Sequence, residues 1–168
     1  MLNPRYLLIP FVLQALAMSV DEFRYHRKRP LPRWERVGHP IDTFTVLLCF
    51  AWLFLSAPSR AAVAVYTGLC VLSCLSVVKD EDVHQRLCTA GEHRVHAMLF
   101  ILHPLVLLAA GLLWPGMHGP AHALPWLHHD GSEGALLLGC AALTLLYGFY
   151  QLIYWNWIWK PASDSAAR

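Results

Sequence analysis

The chain consists largely of long apolar segments that contain hardly a charged residue, and this pattern restricts it to few kinds of fold. A helix needs roughly 17–25 residues to cross the hydrocarbon core of a bilayer, and several segments approach that length. They are Pro4–Val20, Asp42–Ala57, Ala61–Val78, Arg94–Trp114 and Gly134–Trp159. A chain of 168 residues, 57% hydrophobic and 14% charged, has too small an interior to hide so many apolar blocks from water. We therefore predict an all-α fold, a polytopic membrane helix bundle with about five transmembrane helices.

The segment boundaries predict a single transmembrane helical domain over residues 1–160. Pro58 and Ser59 mark a tight turn between the second and third segments, which predicts an antiparallel hairpin. The first segment is interpreted as a span and not as a cleaved signal peptide, because its amino-terminal region holds Arg5 alone. Residues 161–168 are small and polar, and we expect them to form a flexible cytoplasmic tail.

Lysine and arginine residues fall almost entirely on one side of this topology. With five spans, all of the 13 Lys and Arg residues except Arg5 and Arg60 share the side of the carboxyl terminus. The loop Pro115–Glu133, on the other side, contains neither residue type. By the positive-inside rule, we expect the amino terminus outside and the carboxyl terminus in the cytoplasm of this multi-pass membrane protein. The tyrosines and tryptophans before Lys160 are typical of an interfacial aromatic belt.

Charge and cysteine content exclude two other classes of protein. A net charge of +2 and a pI of about 8.3 are too mild to indicate a nucleic-acid partner, and we expect none. The five cysteines lack zinc-ribbon spacing, and an odd number without a framework argues against a secreted disulfide scaffold. We interpret them as small packing residues. The oligomeric state does not follow from the sequence.

Histidines and carboxylates gather at the ends of the predicted spans, on the expected cytoplasmic side. Glu22 and His26 follow the first span and are four residues apart, so a helix that continues past the span places them on one face. Glu92 and His96 have the same spacing at the start of the fourth span. The segment after the third span repeats the pattern with Asp80 and an equally spaced histidine.

The second span contributes through residues at its start. There the chain passes a basic, proline-rich elbow, and His39 and Asp42 come directly before the apolar segment. All four span ends therefore offer imidazole together with carboxylate at one membrane surface. The candidate metal ligands are Glu22, His26, His39, Asp42, Asp80, Asp82, His84, Glu92, His93 and His96.

Neutral imidazole and carboxylate are the ligands that zinc, manganese and non-haem iron use in proteins. Ionisable groups near the membrane interior are costly and indicate function by default. We therefore predict a divalent metal cofactor, iron or zinc, as one or two ions. Simpler explanations exist for single residues: Thr89 and Glu92 fit a helix capping box, and Asp42 can cap the second span. They do not explain why the pairing recurs at every end.

Two further features stand apart from this set. The opposite loop contains His118 and His122 at ligand spacing, but Gly119 and Pro120 between them argue against a helix that could hold an ion. His103 lies two turns deeper than His96 on the same helical face, and the proline after it removes a backbone hydrogen bond. This histidine either lines a cavity or binds the freed backbone.

The leading functional hypothesis is an integral-membrane metalloenzyme that acts on a membrane lipid or another apolar small-molecule substrate at the cytoplasmic surface. With iron the mixed ligand set suits oxygen-dependent hydroxylation or desaturation, which we favour. With zinc it suits hydrolysis of an ester or amide by an activated water. A non-enzymatic metal carrier or sensor is the alternative of another class, and a haem protein is a third possibility.

The layout is similar to that of the membrane di-iron fatty-acid desaturases and hydroxylases, which place histidine boxes at cytoplasmic helix ends. The likeness concerns the layout alone and covers no aligned segment. Those families use HxxxH and HxxHH boxes, whereas His26 has no histidine four residues on and His93 and His96 lack the trailing histidine. The likeness implies an oxygen-activating iron centre without assigning the chain to a family.

Overall fold

The computed structural model describes residues 1–28, 31–79 and 88–159. Within these residues the chain forms helices and no β-strand. The helices are α1 (Ile9–Val20), α2 (Arg33–Leu55), α3 (Arg60–Val78), α4 (Ala90–Met117) and α5 (Glu133–Ile153). A 3-10 turn, Pro4–Leu8, precedes α1, and short π-helical and 3-10 segments extend α1 to Lys28 and α5 to Ile158. Five helices are long and apolar enough to span a membrane, which confirms the predicted fold class.

Many large apolar side chains are exposed on the helices, as expected of helices that face lipid. Leu143, Leu146 and Ile101 expose 64–69% of their surface although they lie in the middle of their helices. The buried core is correspondingly small and gathers around Phe50, Leu107 and residues near them on α2, α3, α4 and α5. Its largest members include Trp114, whose indole Nε1 donates to the carbonyl of Ser56 at 2.8 Å.

The predicted hairpin between the second and third spans is present. α2 ends at Leu55 and α3 begins at Arg60, and the two helices pack against each other. Ser59 caps α3 by accepting a hydrogen bond from the backbone N–H of Ala62 at 3.1 Å. The indole of Trp52 donates to the carbonyl of Ala62 at 3.0 Å, which joins the two helices at the turn.

α2 begins at Arg33, well before the predicted start at Asp42, and this difference changes the site. Pro32 provides an extended N-cap, and Pro40 lies inside the helix. A proline cannot donate to the carbonyl four residues earlier, which here belongs to Arg36. The side-chain amide of Asn156 donates to that carbonyl at 3.2 Å instead. Because the last span satisfies the freed group, the helix continues through the part of the sequence that was predicted to be an elbow.

The helices are arranged so that the end of α1 and the starts of α2 and α4 meet. α1 packs against α4, and α5 packs against both α2 and α4. At the opposite end, the loop before α5 is joined to the amino terminus, where Leu2 bridges Leu127 and accepts from the backbone N–H of His128 at 2.7 Å. The predicted tail, 161–168, lies outside the described residues.

Candidate metal centre

A π-helical turn at the end of the first span places three ionisable side chains together. Asp21–Tyr25 is wound as a π-helix, and the backbone N–H of His26 bonds to the carbonyl of Asp21, five residues earlier. This wider turn brings Asp21 onto the same side as His26, while Glu22 keeps its ordinary spacing of four. The imidazole of His26 therefore lies between two carboxylates. Its Nε2 is 3.2 Å from Asp21 Oδ2, and its Nδ1 is 3.5 Å from Glu22 Oε2.

The start of α4 supplies two more groups to the same place. Thr89 and Glu92 form the predicted capping box, in which Glu92 Oε2 accepts from the backbone N–H of Thr89 at 3.4 Å. The other oxygen, Oε1, lies 4.0 Å from His26 Nε2. Glu92 therefore caps the helix and also faces the cluster. One turn later, His96 Nε2 lies 3.0 Å from Asp21 Oδ1.

Four side chains from two spans could thus hold one ion. Each of the residues Asp21, His26, Glu92 and His96 offers one ligand atom, and these atoms lie within 4.8 Å of one another. All four side chains are buried. The set combines two imidazoles with two carboxylates, which suits zinc, iron or manganese.

The start of α2 adds a second group that shares His26. Glu35 and His39 are four residues apart on α2, and their ligand atoms lie within 4.8 Å of that of His26. The rings of His26 and His39 are stacked, with centroids 5.0 Å apart. Glu35 is fully buried. The two groups together offer six side chains, which is enough for one ion or for two adjacent ions.

Glu22 orients His26 and is itself held by the last span. It accepts hydrogen bonds from the hydroxyl of Tyr150 and, at 3.2 Å, from the indole of Trp155. Arg27 Nε lies 3.9 Å from its Oε1. Histidines that bind a metal usually donate their second ring nitrogen to a carboxylate or carbonyl, which sets the tautomer. Glu22 has this position behind His26, and neither ligand group includes it.

The cluster concentrates negative charge in a buried place. Asp21, Glu22, Glu35 and Glu92 expose at most 5% of their surface. Removing an ionised carboxylate from water costs on the order of several kcal/mol unless positive charge compensates. Protonated imidazoles or a bound cation can supply that charge. A divalent ion does so while it leaves the imidazoles neutral, as ligands must be.

A cavity of about 670 Å³ extends from the cluster into the bundle. Asp21, His26, His39 and His96 line its polar end, and most of the remaining lining is apolar. Two of its lining residues are also exposed at the surface of the bundle: Val12 on α1 exposes 56% of its surface and Leu143 on α5 exposes 69%. The cavity is therefore accessible from the side of the bundle, between the first and last helices.

Four of the ten predicted ligands belong to the two ligand groups: His26, His39, Glu92 and His96. Glu22 contacts His26 from outside these groups, and His93 is half-buried and belongs to neither. Asp42 is paired with Lys79, whose Nζ lies 2.5 Å from its Oδ1, and it also lines the cavity. The remaining three predicted ligands, Asp80, Asp82 and His84, lie outside the described residues.

Sequence reasoning missed Asp21, Glu35, Tyr150 and Trp155. Glu35 and His39 repeat the spacing of Glu22 and His26, and that signal was visible in the sequence. A spacing of four residues has geometric meaning only within a helix, and the proline-rich composition of this segment predicts an elbow instead. Asp21 could not be found this way, since its proximity to His26 depends on the π-helical turn.

Two histidines of the opposite loop have partners outside the ligand groups. His118 Nε2 contacts the carbonyl of Leu53 at 3.1 Å, and His129 Nδ1 lies 2.9 Å from Glu133 Oε1. Among the residues that the structure describes, neither ligand group includes a histidine of this loop.

No family model, no curated protein and no solved structure matches this chain.

Proposed function

We propose that the protein is a membrane metalloenzyme that oxidises a lipid or another apolar molecule with molecular oxygen, at a His/carboxylate centre of one or two iron ions. The observation that carries this proposal is the continuity between the buried cluster and the apolar cavity. A structural metal site needs no such access. A site that acts on an apolar substrate needs both the ligands and a path by which a hydrocarbon reaches them.

The ligand set is compatible with iron because it combines carboxylates with imidazoles and no cysteine joins them in the described residues. Iron bound there would supply the activation of oxygen. The protein would supply the rest: His26 and His96 as neutral ligands, Asp21 between them, and Glu22 as the carboxylate that keeps the tautomer of His26. The apolar lining would hold the substrate chain and keep water away from the centre.

Hydroxylation inserts one oxygen atom into a C–H bond and releases the other as water, so it consumes a pair of electrons and a pair of protons for each O₂. These electrons require a redox protein as reductant. By the positive-inside rule we propose that the cluster faces the cytoplasm, where such a protein could reach it. Arg24, Lys28 and Arg33 lie close to the cluster in sequence and could attract an acidic partner.

The proposal is tested by metal analysis of the protein purified in detergent, together with its absorption spectrum and oxygen consumption in the presence of a reductant. We expect iron near one or two equivalents, no haem absorption band, and oxygen consumption that stops when the iron is removed. Stoichiometric zinc without oxygen consumption would favour the hydrolase, and a haem band would replace the proposed centre. If no metal is retained and none binds on reconstitution, the proposal is wrong.

A further inference from the structure

Two polar residues that line the cavity, Gln14 and His103, lie at a similar depth in the bundle, away from the cluster. α1 and α4 are antiparallel neighbours, and the contact between Asp21 and His96 sets their register. Gln14, on α1, precedes Asp21 by seven residues, and His103 follows His96 by seven on α4. Seven residues are two helical turns. Gln14 therefore lies on the same helix face as Asp21, and His103 on the same face as His96, in each case about 10 Å further from the cluster. Both residues line the cavity.

Gln14 has an unused hydrogen-bonding atom at this level. Its Oε1 is buried and has no hydrogen-bond partner among the described residues. A buried polar atom left without a partner costs about 1–3 kcal/mol, so a protein rarely retains one unless a ligand or water completes it. Three neighbouring apolar residues on α1, Phe11, Val12 and Ala15, line the cavity as well, so the amide lies in an apolar part of this wall.

His103 provides a second polar group that is held in place from behind. It is buried, and its Nε2 lies 3.0 Å from the hydroxyl of Ser73 on α3. Ser73 in turn contacts the hydroxyl of Thr45 on α2 at 2.8 Å. Of the two roles predicted for this histidine, lining the cavity is therefore the one observed. The chain of hydroxyl contacts fixes its ring across three helices.

We propose that the cavity selects a molecule with a hydroxyl group, which Gln14 and His103 bind about 10 Å from the metal cluster. This inference rests on the proposed function, because the cluster defines the reacting end. A hydroxyl fits since it can donate to Gln14 Oε1 or to the ring nitrogen of His103 that does not contact Ser73. With bonds of about 1.5 Å and angles of about 111°, an extended carbon chain covers that distance in roughly eight bonds. The substrate class is therefore a long-chain alcohol oxidised about eight carbons from its hydroxyl.

Competition binding tests this preference without any need for turnover. The protein, reconstituted in nanodiscs, is loaded with tritiated 1-dodecanol, which is then displaced by unlabelled 1-dodecanol or by 1-chlorododecane, a chain of similar shape that cannot donate. We expect that displacement from wild type needs about tenfold more 1-chlorododecane than 1-dodecanol. In Gln14→Leu the ratio of these two concentrations should fall to about twofold or less. Thr144→Val is the matched control, since Thr144 lines the same cavity but donates to the carbonyl of Cys140 at 2.8 Å.

A ratio near one in wild type, or an unchanged ratio in Gln14→Leu, would overturn the inference. Metal content is measured on the same samples. A protein that prefers the alcohol but never binds metal would refute the proposed function and the assignment of a reacting end, while the alcohol site would stand. Dodecanol with a diazirine at about the eighth carbon should then label the peptides of Asp21 or Glu92, and labelling only at the opposite end of the bundle would refute the orientation.

Discussion

Asp21 Oδ1 lies 3.0 Å from His96 Nε2, and this contact joins the end of the first span to the start of the fourth. The other oxygen of Asp21 lies 3.2 Å from His26 Nε2. One carboxylate therefore stands between two imidazoles that are far apart in sequence, and all three side chains are buried. Its position makes Asp21 the most informative single residue for testing the centre.

We expect Asp21→Asn to abolish metal retention while the protein still folds, because the amide keeps the shape of the side chain but loses the charge that a cation needs. Metal content per protein measured after gel filtration checks this. Asp130→Asn is the control, since Asp130 is exposed and lies at the opposite end of the bundle. A variant of Asp21 that keeps its full metal content would remove this residue from the centre.

The two histidines at the start of α4 should behave differently. His96 is buried and contacts Asp21, whereas His93 is half-buried and lies outside both ligand groups. We expect His96→Ala to lose the metal and His93→Ala to retain it, as measured by metal analysis of both variants. The sequence alone predicted both histidines to be ligands, so loss of metal in His93→Ala would favour that interpretation over the present geometry.

Glu35 should influence the number of ions. It is fully buried and, with His39, forms the second group around His26. If two ions bind, Glu35→Gln should lower the metal content from about two to about one per chain, because the group of four around Asp21 remains intact. Glu133→Gln, a change of an equally buried glutamate at the other end of the bundle, should leave the content unchanged. Equal loss in both variants would indicate a general effect on folding.

The hydroxyl of Tyr150 should strengthen metal binding at the centre through Glu22. It donates to Glu22, which stands behind His26. Partners of this kind typically change metal affinity about 10–100-fold, and we expect Tyr150→Phe to weaken binding within that range. Competition with a chelator measures the affinity. Tyr154→Phe alters the ring stacked on Tyr150 and has no such contact with Glu22, so it should bind metal as wild type does.

The packing of the core can be tested with two leucines near the end of α2. Leu53 is fully buried, whereas Leu55 exposes 84% of its surface. Leu53→Ala should lower the free energy of unfolding by about 2–5 kcal/mol, because it leaves a cavity in the core cluster to which Leu53 belongs. Leu55→Ala should change it by no more than about 0.5 kcal/mol. Unfolding in mixed micelles of increasing denaturing detergent measures both, and similar values would contradict the arrangement of the core.

The sequence by itself determined the class of this protein and much of its candidate chemistry. In lipid, an apolar segment of spanning length can satisfy its backbone N–H and C=O groups by forming a helix. The number of spans therefore followed from composition, and the hairpin at Pro58 and Ser59 followed from the turn residues. Glu22 with His26 and Glu92 with His96 were also predictable, because a spacing of four residues has a fixed meaning once a helix is given.

Tertiary structure decided what local rules could not. Helix α2 extends to Arg33 because Asn156, on the last span, satisfies the carbonyl that Pro40 leaves free, and only that extension turns Glu35 and His39 into a pair. Asp21 reaches His26 through a π-helical turn that no spacing rule anticipates. The physical reason is the same in both cases, because each feature is accompanied by contacts from the last span. Asn156 bonds the carbonyl of Arg36, and Tyr150 and Trp155 bond Glu22 within the π-helical turn. Such contacts between distant residues cannot be derived from their order along the chain.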